Sequence, residues 1–216
     1  MMHSAHPVAS QGHAVQLYPL WLRLWHWTNA FFFLMLIASG ASLHFAGSGW
    51  PLIPFETARI LHNLFGLLLT FAYGGYLLAN LFGRNGGHYR PQWPGLPGRL
   101  WQQARFYGVG IFRGEPHPFP ATVRCKFNPL QQITYLGVMY GGMPVLILSG
   151  ILFFFPEWAP ERFLGMDGLW TVGITHYLLG LFLTAFMLGH IYLATAGETV
   201  LGEFRNMIFG AKAGEE

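Results

Sequence analysis

Four long apolar segments, roughly Leu20 to His44, Thr57 to Phe82, Pro129 to Phe155 and Leu169 to Ala196, leave this chain few ways to fold. Each holds the roughly 20 mainly apolar residues that a helix needs to cross about 30 Å of hydrocarbon. The alternating pattern of barrel strands is absent, and within a bilayer only helices and closed barrels satisfy the backbone. The expected fold is an all-α integral membrane protein, a four-transmembrane-helix bundle. It occupies 20–210 as one domain, with spans of about 20–44, 57–82, 129–155 and 169–196 and polar tails over 1–19 and 211–216. Composition agrees. Charged residues are 10% of the chain, against about 25% in an ordinary soluble domain, while 53% of residues are hydrophobic and 17% aromatic.

Helix-breaking residues sit at the segment edges. Trp50-Pro51 and Pro54 fall in the first connection, Gly83 follows the second segment, Pro129 opens the third, and Pro156 and Pro160 follow it. Pro144 lies inside the third segment and should kink it, which neighbouring helices allow by covering the freed carbonyl. The stretch from Met1 to Leu17 is polar and lacks the apolar core of a signal peptide, so no cleaved leader is expected. Cys125 is the only cysteine. That excludes a disulfide framework and any Cys-based metal or iron-sulfur site within the chain.

The connection over 83–128 carries Arg84, Arg90, Arg99, Arg105, Arg113, Arg124 and Lys126, seven of the twelve cations. Such loops stay in the cytoplasm. The two short connections carry Glu56, Glu157, Glu161 and Asp167, with Arg162 near them, and are expected in the periplasm of a bacterial inner-membrane protein. Both termini are then cytoplasmic. The net charge of +3 follows from this topology and does not point to nucleic acid, since the cations lack the aromatic interleaving of a binding platform.

Metal-binding and ionisable residues inside a spanning helix are costly and usually functional. Four histidines fall within the apolar segments: His26, His62, His176 and His190. His26 lies about six residues into the first segment and His190 about six before the end of the fourth, so both sit about 9 Å inside the cytoplasmic boundary. His62 and His176 match in depth at the periplasmic side. His176 and His190 are 14 residues apart, about 21 Å of rise on nearly the same helix face. One helix therefore offers a ligand at each level, and the expected pairs are His26 with His190 and His62 with His176. Two histidines facing across a bundle with a ring-sized gap form a bis-imidazole haem site. With both axial positions filled, such a site performs one-electron transfer.

The bland alternative is a set of polar residues hydrogen-bonding between helices. It explains one histidine better than four matched in depth. A shared metal cluster fits less well, because the pairs are too far apart to share an ion and no carboxylate supports them. His44 stands 18 residues after His26 on the same face, where it competes with His62 as a ligand or serves merely as an interfacial residue. His3, His6, His13, His88 and His117 lie in tail or loop segments and are expected to be solvated.

Gly66 and Gly180 each follow a histidine by four residues, and Gly189 adjoins His190. Short side chains there clear space for a porphyrin, although glycine also serves helix packing in membranes. Arg23 and Arg59 precede His26 and His62 by three, so each shares its histidine's face and lies nearer the aqueous boundary, where a haem propionate would point. Arg23 is equally explained as a cytoplasmic anchor. Arg59 lies on the side where cations are disfavoured, and the propionate role suits it better.

Leu24-Trp25-His26-Trp27, Arg59-Ile60-Leu61-His62, Thr175-His176-Tyr177 and Gly189-His190-Ile191-Tyr192, with the 14-residue spacing, resemble one known family. These are the di-haem cytochrome b subunits of bacterial formate dehydrogenase (gamma subunit) and thiosulfate reductase, and the resemblance runs from Trp21 to Gly210. Lys126-Phe127-Asn128-Pro129-Leu130-Gln131 is similar to the family's Lys-aromatic-Asn-x-x-Gln segment near a quinone pocket, which implies that Asn128 and Gln131 contact quinone. Read bottom-up, Asn128 is an N-cap before Pro129 at the first helical position, an explanation that covers Asn128 alone. Pro129 and Leu130 replace the small residues of the family pattern.

The resemblance implies two haem b groups and quinone as substrate. It also implies a periplasmic redox partner, of molybdenum/iron-sulfur or multihaem cytochrome c type, in a respiratory oxidoreductase complex. Two rivals stand beside it. One is a partnerless di-haem cytochrome passing electrons from superoxide to quinone; the other is a non-redox membrane permease that binds metal through histidine.

Overall fold

The computed structural model describes residues 15–16, 18–49, 52–120, 126–163, 165–195, 200–210 and 212–213. His3, His6, His13, Trp50, Pro51, Arg124, Cys125 and the Arg84 side chain lie outside the described residues.

Four long helical rods dominate. Helix α1 spans Leu20–His44 and starts from Pro19, whose extended backbone cannot continue a helix backwards. Helix α2 spans Phe55–Phe82, with Pro54 before it and Glu56 in its first turn, where a carboxylate favours the positive end of the helix dipole. A short helix α3, Leu96–Arg105, then lies within the basic connection. The third rod is α4, Pro129–Gly137, a π-helical turn over Val138–Gly142, and α5, Met143–Phe154. The fourth is α6, Gly168–Thr195. Before it, β2 (Arg162–Phe163) pairs antiparallel with β3 (Met166–Asp167), and Asp167 accepts a hydrogen bond from the Trp170 amide at 2.9 Å, closing the helix start.

Three of these rods, Phe55–Phe82, Pro129–Phe154 and Gly168–Thr195, are long and apolar enough to cross a membrane. Helix α1 has the length, 25 residues, but Arg23, His26, Thr28 and Asn29 dilute its apolar character. The rods form two hairpins. Helix α1 packs along α2, α5 packs along α6, and α2 meets α5 through a smaller contact. A buried cluster of Leu69, Tyr73, Val138, Met143 and Leu183, flanked by Phe32, Phe33, Leu36 and Phe186, joins the hairpins midway along the bundle. Outward faces carry exposed Phe31, Leu34, Phe71, Leu148, Leu181 and Leu188. Water would penalise that much apolar surface, whereas lipid accepts it.

The expected kink at Pro144 takes the form of the π-helical turn just ahead of it, in which the Met143 amide reaches back to the Val138 carbonyl. The basic connection is more structured than its Pro, Gly and Arg content suggests. Helix α3 packs on α4, with Gln103 fully buried between them. A last helix, α7 (Gly202–Phe209), folds back on α1. There Arg23 Nη1 donates to the Ile208 carbonyl at 2.5 Å and Trp27 Nε1 to the Met207 carbonyl at 3.1 Å. Strand β1 (Val15–Gln16) pairs antiparallel with β4 (Lys212–Ala213), bringing the segments before α1 and after α7 together.

Candidate functional site

Helix α6 holds His176 and His190, separated by about 21 Å of helical rise. The structure brings His62 of α2 opposite His176, with ring centroids 6.2 Å apart and planes at 71°. It brings His26 of α1 opposite His190, with centroids 6.1 Å apart and planes at 59°. One pair lies toward the short loops and the other toward the tails. Each pair joins the two hairpins, so it spans the gap between them.

These separations carry chemical information. A metal held between two imidazole nitrogens at about 2 Å each sets ring centroids about 6 Å apart. Among the described residues no group of three or more His, Cys, Asp or Glu converges on a metal position. Structural and catalytic zinc sites take three or four protein ligands. A site with two axial histidines requires its other ligands from a cofactor, and a porphyrin has four coplanar nitrogens to offer.

The surroundings pass the same test. A Cβ built on half-buried Gly180 would meet nothing outside its own helix within 4 Å, and one on Gly66 only Leu36 Cδ2 at 4.0 Å, whereas Gly189 is exposed and says nothing of interior clearance. There is open space beside the histidines where the sequence expects clearance. At the tail end, Arg23 Nε, His26 Nδ1 and Asn29 Oδ1 are buried without hydrogen-bond partners among the described residues. They follow one another at three-residue intervals, hence along one helix face. Buried polar atoms of this kind call for a polar group to answer them.

The short-loop pair is seated differently. His62 Nδ1 lies 3.1 Å from Ser39 Oγ, and His176 Nδ1 lies 2.9 Å from Ser149 Oγ. Each serine precedes a glycine against which the ring rests. A Cβ on Gly40 would stand 3.2 Å from His62 Cε1, and one on Gly150 3.4 Å from His176 Cε1. The sequence reading missed these four residues. Their signal was a Ser-Gly pair inside each of two apolar segments, Ser39-Gly40 and Ser149-Gly150.

Other expected site residues are placed otherwise. His44 stacks on Tyr177, with centroids 4.7 Å apart and planes at 15°, and it is His62 that stands opposite His176. Arg59 is committed to Glu56 rather than to the histidine level. Its Nη2 bonds Glu56 Oε2 at 2.9 Å, and both side chains are more than half exposed. A carboxylate three residues back on the same helix face supplies the nearer partner. Arg23 spends one donor on the C-terminus of α7, as an anchor would.

Asn128 and Gln131 form a reciprocal capping box. Asn128 Oδ1 accepts from the Gln131 amide at 2.9 Å, and Gln131 Oε1 accepts from the Asn128 amide at 3.1 Å. The capping explanation therefore covers both residues, not Asn128 alone. Asn128 Nδ2 also donates to Tyr107 Oη at 2.8 Å. Nearby, a cavity of about 460 Å³ is lined by Pro19, Trp21, Ala79, Gly83, Asn85, His88 and Lys126. Burial pulls the Lys126 ammonium below its usual range. His88 is half-buried at this cavity rather than simply solvated, whereas His117 is exposed, as expected, with its ring against Phe106 at a centroid distance of 4.8 Å.

Residues 17–210 match the family model of the prokaryotic cytochrome b561. The chain belongs to that family. This prokaryotic cytochrome b561 is 43% identical over 199 residues to the Escherichia coli (strain K12) protein named "Putative cytochrome YdhU", an alignment covering 92% of this chain and 75% of the relative. It is thus a membrane cytochrome of the electron-transfer class, and its family binds haem b through histidine ligands. The structure sets histidines facing one another at two levels of the bundle.

Proposed function

We propose that this cytochrome holds two haem b groups, one between His26 and His190 and one between His62 and His176. It serves as the membrane subunit of a respiratory oxidoreductase complex in a bacterial inner membrane, of the formate dehydrogenase gamma and thiosulfate reductase type. Electrons pass between a periplasmic redox subunit and the quinone pool. The observation that carries this reading is the pair of matched histidine separations, 6.1 and 6.2 Å, with one histidine of each pair on α6.

Bound between paired imidazoles, haem supplies one-electron transfer with no open position for oxygen or substrate. The chain's own part is to hold the rings at that spacing, keep water out and set the distance between levels. The buried layer around Leu69, Met143 and Leu183 lies between the two levels and keeps them apart. The cations of the basic connection support a cytoplasmic tail end, which leaves the acidic short loops on the periplasmic side for docking of a redox subunit. Quinone is met near the His26–His190 level. The cavity beside Lys126 supports that, as does its proximity to the Asn128–Gln131 cap, whose Gln131 amide nitrogen is not engaged by the box.

The test is purification from native membranes with haem counted per chain. Two haems, falling to one in His62→Ala or His26→Ala, and a co-purifying redox subunit are expected. A protein that leaves the membrane alone and reduces quinone with superoxide would overturn the partner; no haem at all would overturn the whole reading.

A further inference from the structure

Ser39 and Ser149 stand in the same relation to the two histidines of the short-loop pair, one from each hairpin. The Ser39 hydroxyl donates to the Met35 carbonyl at 2.6 Å, and the Ser149 hydroxyl to the Leu146 carbonyl at 2.8 Å. Each hydroxyl has one proton. With it spent on the helix backbone, Oγ can only accept from the imidazole, so His62 Nδ1 and His176 Nδ1 carry the ring protons. Nε2 of both rings is left as a lone-pair donor. Both serines are buried, Ser39 fully and Ser149 at 5% exposure, so water does not compete for the contact.

The tail-end pair lacks this arrangement on at least one side, since His26 Nδ1 is buried with no partner among the described residues. Hydrogen bonds to the far nitrogen raise the basicity of a ligating imidazole and fix its orientation. A more basic ligand favours the ferric over the ferrous ion, and such bonds are among the levers that set haem potentials.

We infer that Ser39 and Ser149 are positioning residues that lock His62 and His176 in the Nδ1-protonated tautomer and lower the midpoint potential at that end of the molecule. This rests on the di-haem reading. Gly40 and Gly150 complete each seat by letting the ring lie against the neighbouring helix, where a Cβ would stand 3.2 and 3.4 Å from Cε1.

The experiment is a redox titration of the purified holoprotein in nanodiscs, with haem content and the low-spin electron paramagnetic resonance signals measured alongside. In Ser39→Ala and Ser149→Ala one midpoint should rise and the other stay. The expected size is up to about tenfold in the ratio of ferric to ferrous stabilisation, about 59 mV for a one-electron couple. The resonance signal of that same haem should shift. Ser39→Thr and Ser149→Thr retain a hydroxyl and should restore the wild-type midpoint.

Unchanged midpoints in the double alanine variant at full haem content would overturn the inference. So would equal shifts of both midpoints, which mark a general loosening of the bundle. If the alanine variants lose haem, Ser149→Cys, a weaker acceptor of similar size, carries the test: a partial rise supports the inference and an unmoved midpoint refutes it. Wild-type protein with fewer than two haems would instead refute the di-haem reading.

Discussion

The phenol of Tyr73 donates a hydrogen bond of 2.6 Å to the backbone carbonyl of Met139, across the interface between the two hairpins. The reason lies five residues along the chain. In the π-helical turn the Met143 amide bonds the Val138 carbonyl, so the next carbonyl, Met139, would take its bond from residue 144. That residue is Pro144, which has no N–H. Tyr73 supplies the missing donor from α2. In hydrocarbon an unanswered carbonyl is expensive, so the proline that distorts α4–α5 also fixes where α2 must lie against it.

Tyr73→Phe removes that donor and keeps the ring, and should cost about 1–3 kcal/mol of stability. Thermal unfolding in detergent, followed by the haem band, measures it. Pro144→Ala restores an amide at the position the carbonyl needs. The Tyr73→Phe cost should therefore be smaller in the Pro144→Ala background, and equal costs in both backgrounds would show that Met139 is answered in some other way.

Glycines beside the histidines give a sign test. Replacing a helical glycine by alanine ordinarily stabilises by roughly 0.5–1 kcal/mol, and a Cβ at Gly180 meets nothing outside its own helix within 4 Å. Gly180→Ala should thus stabilise the haem-free protein. If a porphyrin occupies the space, the same variant should lower haem occupancy, and Gly180→Leu should abolish it at the short-loop level alone. Haem content and apoprotein melting, measured on one preparation, would separate a cofactor wall from ordinary helix packing.

Much of this architecture was legible in the chain. Apolar length and the prolines at 54, 129 and 156 mark where the long helices start and stop, and depth counting alone puts His62 with His176 and His26 with His190. What it could not give was competition between partners. Arg59 points along the right helix face, but Glu56 is nearer than anything at the histidine level. Asn128 before Pro129 offers both a quinone contact and a helix cap, while the return bond from Gln131 depends on a side-chain conformation that residue identity leaves open. Ser39 and Ser149 look like neutral small residues until helix crossing brings each within 3.1 Å of a ring nitrogen. Helix α3 was hidden by composition, because its anchor is the polar Gln103, buried by tertiary packing.

The basic connection holds a pH-dependent clasp. Arg105 bonds Glu115 through two contacts, 2.8 and 3.0 Å, and the Glu115 amide bonds the Gly110 carbonyl at 3.0 Å, closing the π-helical turn over Phe106–Gly110. The Arg105 hydrogen bond holds the Glu115 carboxyl below its usual range. A carboxylate lowered on folding contributes its stability above its unfolded value, about 4.3, and loses it as pH falls through the lower folded value. Amide exchange across 106–114 should therefore be flat from pH 7 to about 5 and quicken below about 4, relative to the intrinsic rate. In Glu115→Gln that acid-side step should vanish; its persistence would assign the transition to another group.

The Asn128–Gln131 box allows capping and quinone contact to be told apart with conservative changes. Asn128→Ala removes the side-chain acceptor for the Gln131 amide and should cost about 0.5–2 kcal/mol. Asn128→Asp keeps the acceptor while deleting the Nδ2 donor that reaches Tyr107 at 2.8 Å. Gln131→Glu keeps an oxygen for the Asn128 amide and deletes the amide nitrogen that the box leaves unused. If these residues serve only the helix start, both conservative variants should fold and pass electrons to quinone as the wild type does. If Gln131 also meets quinone, Gln131→Glu should raise the quinone KM about tenfold, the loss of one hydrogen bond worth about 1.4 kcal/mol, with melting temperature and haem content unchanged. An unaltered KM in Gln131→Glu, with Asn128→Ala destabilised, would leave the pair as a helix cap and move the quinone contact to the cavity beside Lys126 and His88.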